Sequence, residues 1–281
     1  MSFLDAINKI HEKPKDLSIL TGRLNKFLDG REDTYAKDVY YHPSQLYGAC
    51  SRMEVLKRVV PIELLPLTKH EVYTKAKFDI GNAVHYWYQT YYLGQMGILK
   101  GKWRCSHCNA VTGADPKPEF RPKKCGCGNT TEWSYDECRV FNTEWSVIGK
   151  VDGILDIDGK PYVLDMKTSD PELFKKMKKP WPSAEFQVQV YLWLTGIKDG
   201  VLLYIDKSSN GPEPTKEFPV KYSEKTVDQV KGLVTTVRMS IDSKSLPACS
   251  CTGKWGNAKC EDVEKIPAIA GYLAKWSKGK V

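Results

Sequence analysis

The sequence predicts an α/β fold, a mixed central sheet flanked by helices, with a module of different composition inserted into it. Three observations carry this expectation. Residues 136–167 alternate apolar and polar side chains in three runs, the last two joined at Asp158-Gly159, a two-residue hairpin signal. Apolar residues recur at helical spacing on either side, as Val84, Tyr88 and Tyr91 before this region and as Val227, Val230, Val234 and Val237 after it. Between 103 and 133 neither period holds, and Cys, Gly, Pro and Lys dominate.

In chain order, the first forty residues read as short polar helices broken near Pro14 and Gly30. Pro43-Ser44 offers a cap for a helix running through Cys50 and Arg52 to about 59, ahead of Pro61. A second helix follows the breaker Gly81, with Gly81, His85 and Gln89 in one polar row. After the insertion come strands at about 136–142, 145–156 and 161–167, and then a basic loop over 171–182. Ser183 can cap a helix that stops at Gly196; strands follow at 201–205 and 217–220, and Ser223 caps the valine-striped helix. The expected organisation is one domain over 1–281, with a core at about 44–97 and 136–222. The module at 103–133 is inserted, and 223–281 packs back on the N-terminal helices.

The chain has 281 residues, 41% of them hydrophobic, enough for a sizeable core and against a disordered chain. No stretch approaches the ~20 apolar residues of a membrane span, and Met1-Ser2-Phe3-Leu4-Asp5 is not a basic-then-apolar leader, so a cytoplasmic location is expected. Lys and Arg number 42 against 34 Asp and Glu, and the resulting +8 favours polyanionic partners.

On a strand, residues two apart share a face, so Asp165 and Lys167 project together while Met166 faces the other way, and the hairpin can bring Asp152 alongside. Carboxylates crowded into one cavity call for a cation, and oxygen ligands suit Mg²⁺ or Mn²⁺. A lysine beside that cation can position water or stabilise charge on a phosphoryl oxygen, which is chemistry for phosphodiester hydrolysis. The bland alternative is a set of solvated strand-end residues.

Nine cysteines are an odd number for a disulfide framework, and metal ligation is the better reading. Cys105-x-x-Cys108 and Cys125-Gly-Cys127 form two knuckles whose four thiolates suit a structural Zn²⁺. Cys249, Cys251 and Cys260 crowd into a second cluster, and Cys138 reads as a buried small hydrophobe.

Gly149-Lys150-Val151-Asp152, Asp165-Met166-Lys167 and Gln187-Val188-Gln189-Val190-Tyr191 resemble the G-x-x-D, (D/E)-x-K and Q-x-x-x-Y motifs of RecB-type nucleases of the PD-(D/E)xK superfamily. That group includes lambda exonuclease-like enzymes and the CRISPR-associated adaptation nucleases. Gly81-Asn82-Ala83-Val84-His85 resembles their G-x-x-x-H helix, and Val151 stands where the superfamily name has proline. The resemblance covers about 44–95 and 136–206. It implies a restriction-endonuclease-like core in which His85, Asp152, Asp165 and the Met166 carbonyl bind metal, Lys167 serves the attacking water, and Gln187 and Tyr191 position the DNA strand. It also implies that Cys50 joins Cys249, Cys251 and Cys260 around a [4Fe-4S] cluster, with a second zinc as the alternative.

The expected function is therefore Mg²⁺/Mn²⁺-dependent DNA cleavage, as an exonuclease on single strands or duplex ends in recombination, repair or viral genome processing. A structure-selective endonuclease and a noncatalytic zinc-containing DNA-binding protein are the rivals. The sequence holds no G-x-x-x-x-G-K-[ST] loop, so unwinding would fall to a helicase or other recombination partner. The Lys175-Lys176-Met177-Lys178-Lys179 run offers phosphate contacts or only a solvated face, and Trp103, Trp133, Trp181 and Trp255 offer rings for stacking on unpaired bases, although tryptophans beside knuckles and prolines more often cover small cores.

Overall fold

The computed structural model describes residues 20–30, 39–66, 71–208, 213–251 and 259–281. Two compact units form: Met1–Tyr35 with Leu67–Ile80, and Ala36–Pro66 with Gly81–Val281. In the first unit, helix α1 (Thr21–Gly30) is the described part of the expected polar helices, and residues 1–19 and 31–38 lie outside the described residues. Lys75 is buried there, and its Nζ donates to the Leu28 carbonyl at 3.0 Å. No described helix is long and apolar enough to cross a membrane.

The second unit is built on a mixed sheet. Its strands are β1 (Leu99–Cys105), β2 (Val111–Thr112), β3 (Glu119–Phe120), β4 (Trp133–Asp136), β7 (Gly153–Ile157), β8 (Lys160–Ser169), β9 (Asp199–Asp206) and β10 (Thr215–Lys221). The order is β10-β9-β8-β7-β1-β2, with β3 and β4 also on β1; β8 and β9 run parallel and the other pairs antiparallel. Strands β5 (Cys138–Asn142) and β6 (Val147–Val151) form a separate two-stranded sheet. Asp158 and Gly159 both take positive φ, as the β7–β8 hairpin turn requires.

Two expected strands are each divided. The run 136–142 breaks at Glu137 and the run 145–156 at Asp152, because at both points the chain passes between the main sheet and the two-stranded one. The expected helix over 44–59 is also two: α2 (Pro43–Leu46) and α3 (Ser51–Val59), separated where Gly48 turns to φ +65°. Gly81 does not start a helix. It lies inside α4 (Val72–Trp87), which continues as a π-helical turn over Tyr88–Leu93.

The basic loop contains a short helix, α5 (Pro171–Lys176). Helix α6 (Pro182–Thr195) begins with Pro182 at its first position and Trp181, rather than Ser183, at the cap. It packs on β8 and β9 through Val188 and Leu192. Ser223 precedes α7 (Glu224–Asp242), but its side chain makes no capping bond; its N–H donates to Gln189 Oε1 at 2.7 Å instead. Val227, Val230, Val234 and Val237 are all buried, each worth about 1.5–3 kcal/mol of apolar burial. Helices α8 (Cys260–Glu264) and α9 (Pro267–Trp276) close the chain against α3, where Arg52 grips both Glu264 carboxylate oxygens at 2.6 Å.

Candidate active site and cysteine centres

Strand β8 presents Asp165 and Lys167 on one face, and Leu164 and Met166 enter the core on the other. Its ladder with β7 ends at the Gly153–Leu164 pair. Beyond that point the chain turns away at Asp152, and Asp152 Oδ2 accepts the Met166 N–H at 2.5 Å. A strand residue directs its N–H and C=O toward the same neighbour, so the Met166 carbonyl also faces the Asp152 side. His85 Nδ1 on α4 lies 3.6 Å from Asp152 Oδ1. One turn on, Gln89 Nε2 donates to the Asp152 carbonyl at 2.8 Å and to Glu137 Oε1 at 3.4 Å.

Ligand atoms of His85, Glu137 and Asp152 all lie within 4.8 Å of one another. Glu137 is absent from the motifs read in the sequence. The Cys138–Val151 pairing, which places both acids at the same end of the two-stranded sheet, is a long-range register that no local pattern encodes. Asp165 sits beside this group rather than in it, with Lys167 Nζ 2.6 Å from its Oδ2 in an ion pair that misses hydrogen-bond angles.

Lys167 Nζ also donates to Gln187 Oε1 at 3.2 Å, and Gln187 Nε2 donates to Tyr191 Oη at 3.1 Å. Tyr191 is buried, so it acts on the site through Gln187 and does not itself present a surface to a strand. Gly149 makes that burial possible: a Cβ there would fall 2.7 Å from the Tyr191 ring and 3.0 Å from Pro43. The glycine of the G-x-x-D motif is thus a packing requirement.

Burial and mutual charge set the electrostatics of this cluster. Burial pushes Glu137 up to about 7, and the Asp152 charge adds to it. Burial also lifts Asp165 to about 6, against the pull of Lys167. Asp152 feels the same burial, yet His85, Lys167 and the Met166 N–H hold it below the ordinary range. For His85 and Lys167 burial opposes the charged form, but the adjacent aspartates outweigh it and both are raised. Lys167 is therefore an ammonium. Buried carboxylates and an imidazole whose ligand atoms converge are a fitting donor set for Mg²⁺ or Mn²⁺.

In the inserted module the sulfurs of Cys105, Cys108, Cys125 and Cys127 lie within 4.8 Å of one another, with Cys105–Cys127 at 3.7 Å and Cys108–Cys125 at 3.5 Å. A tetrahedron of ~2.3 Å Zn–S bonds has edges of about 3.8 Å, so the four thiols fit one zinc. Buried Asn129, which the sequence reading passed over, secures the second knuckle: it donates to Cys105 Sγ at 3.2 Å and accepts the Thr131 and Glu132 N–H groups.

Cys50, Cys249, Cys251 and Cys260 converge likewise, at 3.6 Å for Cys50–Cys260 and 3.1 Å for Cys251–Cys260. Cys138 is apart from both, in the core. Of the tryptophans, Trp103 and Trp133 are buried, Trp181 is exposed with its ring edge-to-face against Tyr204, and Trp255 lies outside the described residues. Of the basic run, Lys175, Lys176, Lys178 and Lys179 are exposed.

No family profile matches the chain, and no curated protein matches it. Among solved structures, the chain is similar to an alkaline exonuclease (LHK-Exo) from Laribacter hongkongensis at 12% identity and a TM-score of 0.45, over 90% of this chain and 100% of that one. The same LHK-Exo in complex with dAMP gives 12% identity and a TM-score of 0.46, over 84% and 96%. A phage related exonuclease from Haemophilus somnus 129PT gives 14% and 0.33, over 72% and 93%. These likenesses are loose.

Proposed function

We propose that the protein is a divalent-metal-dependent deoxyribonuclease of the RecB-like PD-(D/E)xK type, acting as an exonuclease on single strands or duplex ends. The observation that carries this is the meeting of His85, Glu137 and Asp152 beside the Asp165–Lys167 pair, from four separate stretches of chain. His85, Asp152, Asp165 and the Met166 carbonyl would hold the ion, with Glu137 as a further ligand. Such an ion, when bound, polarises the scissile phosphate and makes its water more acidic. Lys167, kept cationic by Asp165 and aimed by Gln187, is placed to stabilise charge developing on a phosphoryl oxygen and to orient the attacking water. Tyr191 fixes Gln187 in turn.

The Cys105 centre is assigned zinc as a staple for a segment with little core of its own. At the Cys50 centre the motif resemblance supports [4Fe-4S]. A second reading, one zinc ion, is favoured by the sulfur spacing, because a cubane bonds each thiolate to a different iron and spreads them more widely. The test of function is digestion of end-labelled single- and double-stranded DNA with and without Mg²⁺ or Mn²⁺. Stepwise shortening from an end is expected. Internal cuts would select the endonuclease, and binding without any cleavage would select the noncatalytic module.

A further inference from the structure

An α-helical reading places Val84, Tyr88 and Tyr91 in one apolar stripe, but the structure packs Val84, Tyr88 and Leu93 into the core and leaves Tyr91 outside. The π-helical turn at Tyr88–Leu93 causes this. Its i to i+5 repeat brings Leu93 over Tyr88 and, on the outer face, Tyr91 beside Tyr86, with ring centroids 6.3 Å apart. Trp87 braces Tyr91 at 4.3 Å. Tyr86 and Tyr91 line one wall of a cleft of about 250 Å³, and Arg121 and Trp133 of the inserted module line the other.

Three features say what the cleft takes. Its aromatic wall is carried by the same helical segment as the site: Tyr86 follows His85 in the chain, and Thr90 follows Gln89, which holds the Asp152 carbonyl. Its module side carries one guanidinium, Arg121, held by the Thr131 carbonyl at 2.6 Å, and one carboxylate, Glu132, whose charge is met by His107 at 3.4 Å, while exposed Lys123 and Lys124 follow Arg121 in the chain. Its volume admits a single flat ring system and excludes a duplex. We infer that this cleft is a stacking subsite for an unpaired nucleobase of the DNA strand whose phosphate lies at the His85–Asp152 site. The inference rests on the nuclease reading for the identity of its ligand. It gives the inserted module a role in holding substrate, as the wall that carries Arg121.

The test is fluorescence anisotropy of a labelled oligothymidylate with the full chain, with Ca²⁺ replacing Mg²⁺ to limit cutting. Tyr86→Ala and Tyr91→Ala should each weaken binding about tenfold, and Tyr91→Phe should bind as the parent does, because stacking needs the ring and not the hydroxyl. Affinity for a blunt duplex of the same length should be unchanged. Alanine variants within about twofold of the parent, or a Tyr91→Phe loss equal to that of alanine, would overturn the subsite. Should the alanine variants fail to fold, photocrosslinking of the parent to an iodouracil oligonucleotide still answers: label on the peptide holding Tyr86 and Tyr91 supports the subsite, and label confined elsewhere rejects it. Cleavage by the parent in Mn²⁺ is scored separately. Ring-dependent binding without cleavage sinks the nuclease reading alone, and cleavage without ring dependence sinks the subsite alone.

Discussion

Glu137 and Asp152 occupy matching breaks in the backbone, one where the chain leaves the main sheet for the two-stranded sheet and one where it returns. The fold that brings them together also raises Glu137 from 4.5 to about 7, through burial and the nearby Asp152 charge. An acid whose folded pKa lies above its unfolded value contributes stability at low pH, and that contribution is lost as the pH rises through about 7. Protein free of Mg²⁺ and Mn²⁺ should therefore lose melting temperature between about pH 5 and pH 8, and Glu137→Gln should flatten that loss. Added Mn²⁺ should raise the melting temperature more at the alkaline end. A Glu137→Gln profile parallel to that of the parent would remove Glu137 from the site.

The chain from Lys167 through Gln187 to Tyr191 predicts a graded response. Tyr191→Phe keeps the ring against Gly149 but leaves Gln187 Nε2 without this partner, a loss of about 1 kcal/mol, or roughly fivefold in kcat with KM little changed. Gln187→Ala should cost more, since Lys167 then loses its oxygen acceptor. Single-turnover cleavage of labelled DNA measures both, and equal rates for all three proteins would show the chain to be structural only.

For the inserted module, replacing Cys105 and Cys108 together by serine should remove about one zinc per chain and make residues near 103–133 sensitive to protease. Elemental analysis reads the first effect and limited proteolysis the second. Asn129→Ala should loosen the module while zinc remains bound, because Asn129 supports Cys105 and the turn but is not one of the four thiolates. Unchanged zinc in the double cysteine variant would refute the ligand set.

At the other centre, Cys50→Ser should eliminate the metal shared with Cys249, Cys251 and Cys260: about four irons and a brown colour for the cluster, about one zinc for the single ion. Either loss should speed proteolysis beyond about residue 245, since Cys50 and Cys260 lie in one small core with Leu56, Val60 and Ile269. Cys138→Ser should do neither. Unaltered metal content in Cys50→Ser would separate Cys50 from the C-terminal cysteines.

The mixed sheet is legible because β7, β8 and β9 show strong alternation or burial, and the hairpin at Asp158-Gly159 pairs β7 with β8 locally, whereas the parallel pairing of β9 with β8 is long-range. The breaks at Glu137 and Asp152 are not legible, since a chain crossing between two sheets keeps its period-two pattern across the crossing. Helix α4 departs from the expected helix at both ends. Gly81 looked like a breaker but sits where the helix passes Thr168, whose Oγ1 a Cβ would meet at 3.4 Å. The π turn shifts the core-facing position from Tyr91 to Leu93, a two-residue change that a 3.6 period cannot foresee. Trp103 and Trp133 cover the core beside the module, as tryptophans near knuckles commonly do, with Trp103 Nε1 donating to the Glu119 carbonyl at 3.1 Å, while Tyr86 and Tyr91 form the aromatic wall of the cleft.

The central claim is metal-dependent hydrolysis at the His85, Asp152, Asp165 and Lys167 site. Its most direct measurement is the rate at which end-labelled single-stranded DNA is shortened in saturating Mn²⁺ by the parent and by Asp165→Asn. End-directed shortening by the parent is expected, with a rate lower by on the order of 10²-fold or more in the variant and DNA binding retained. A variant that cuts at the parental rate, or a parent that cuts nothing with either Mg²⁺ or Mn²⁺, would contradict it.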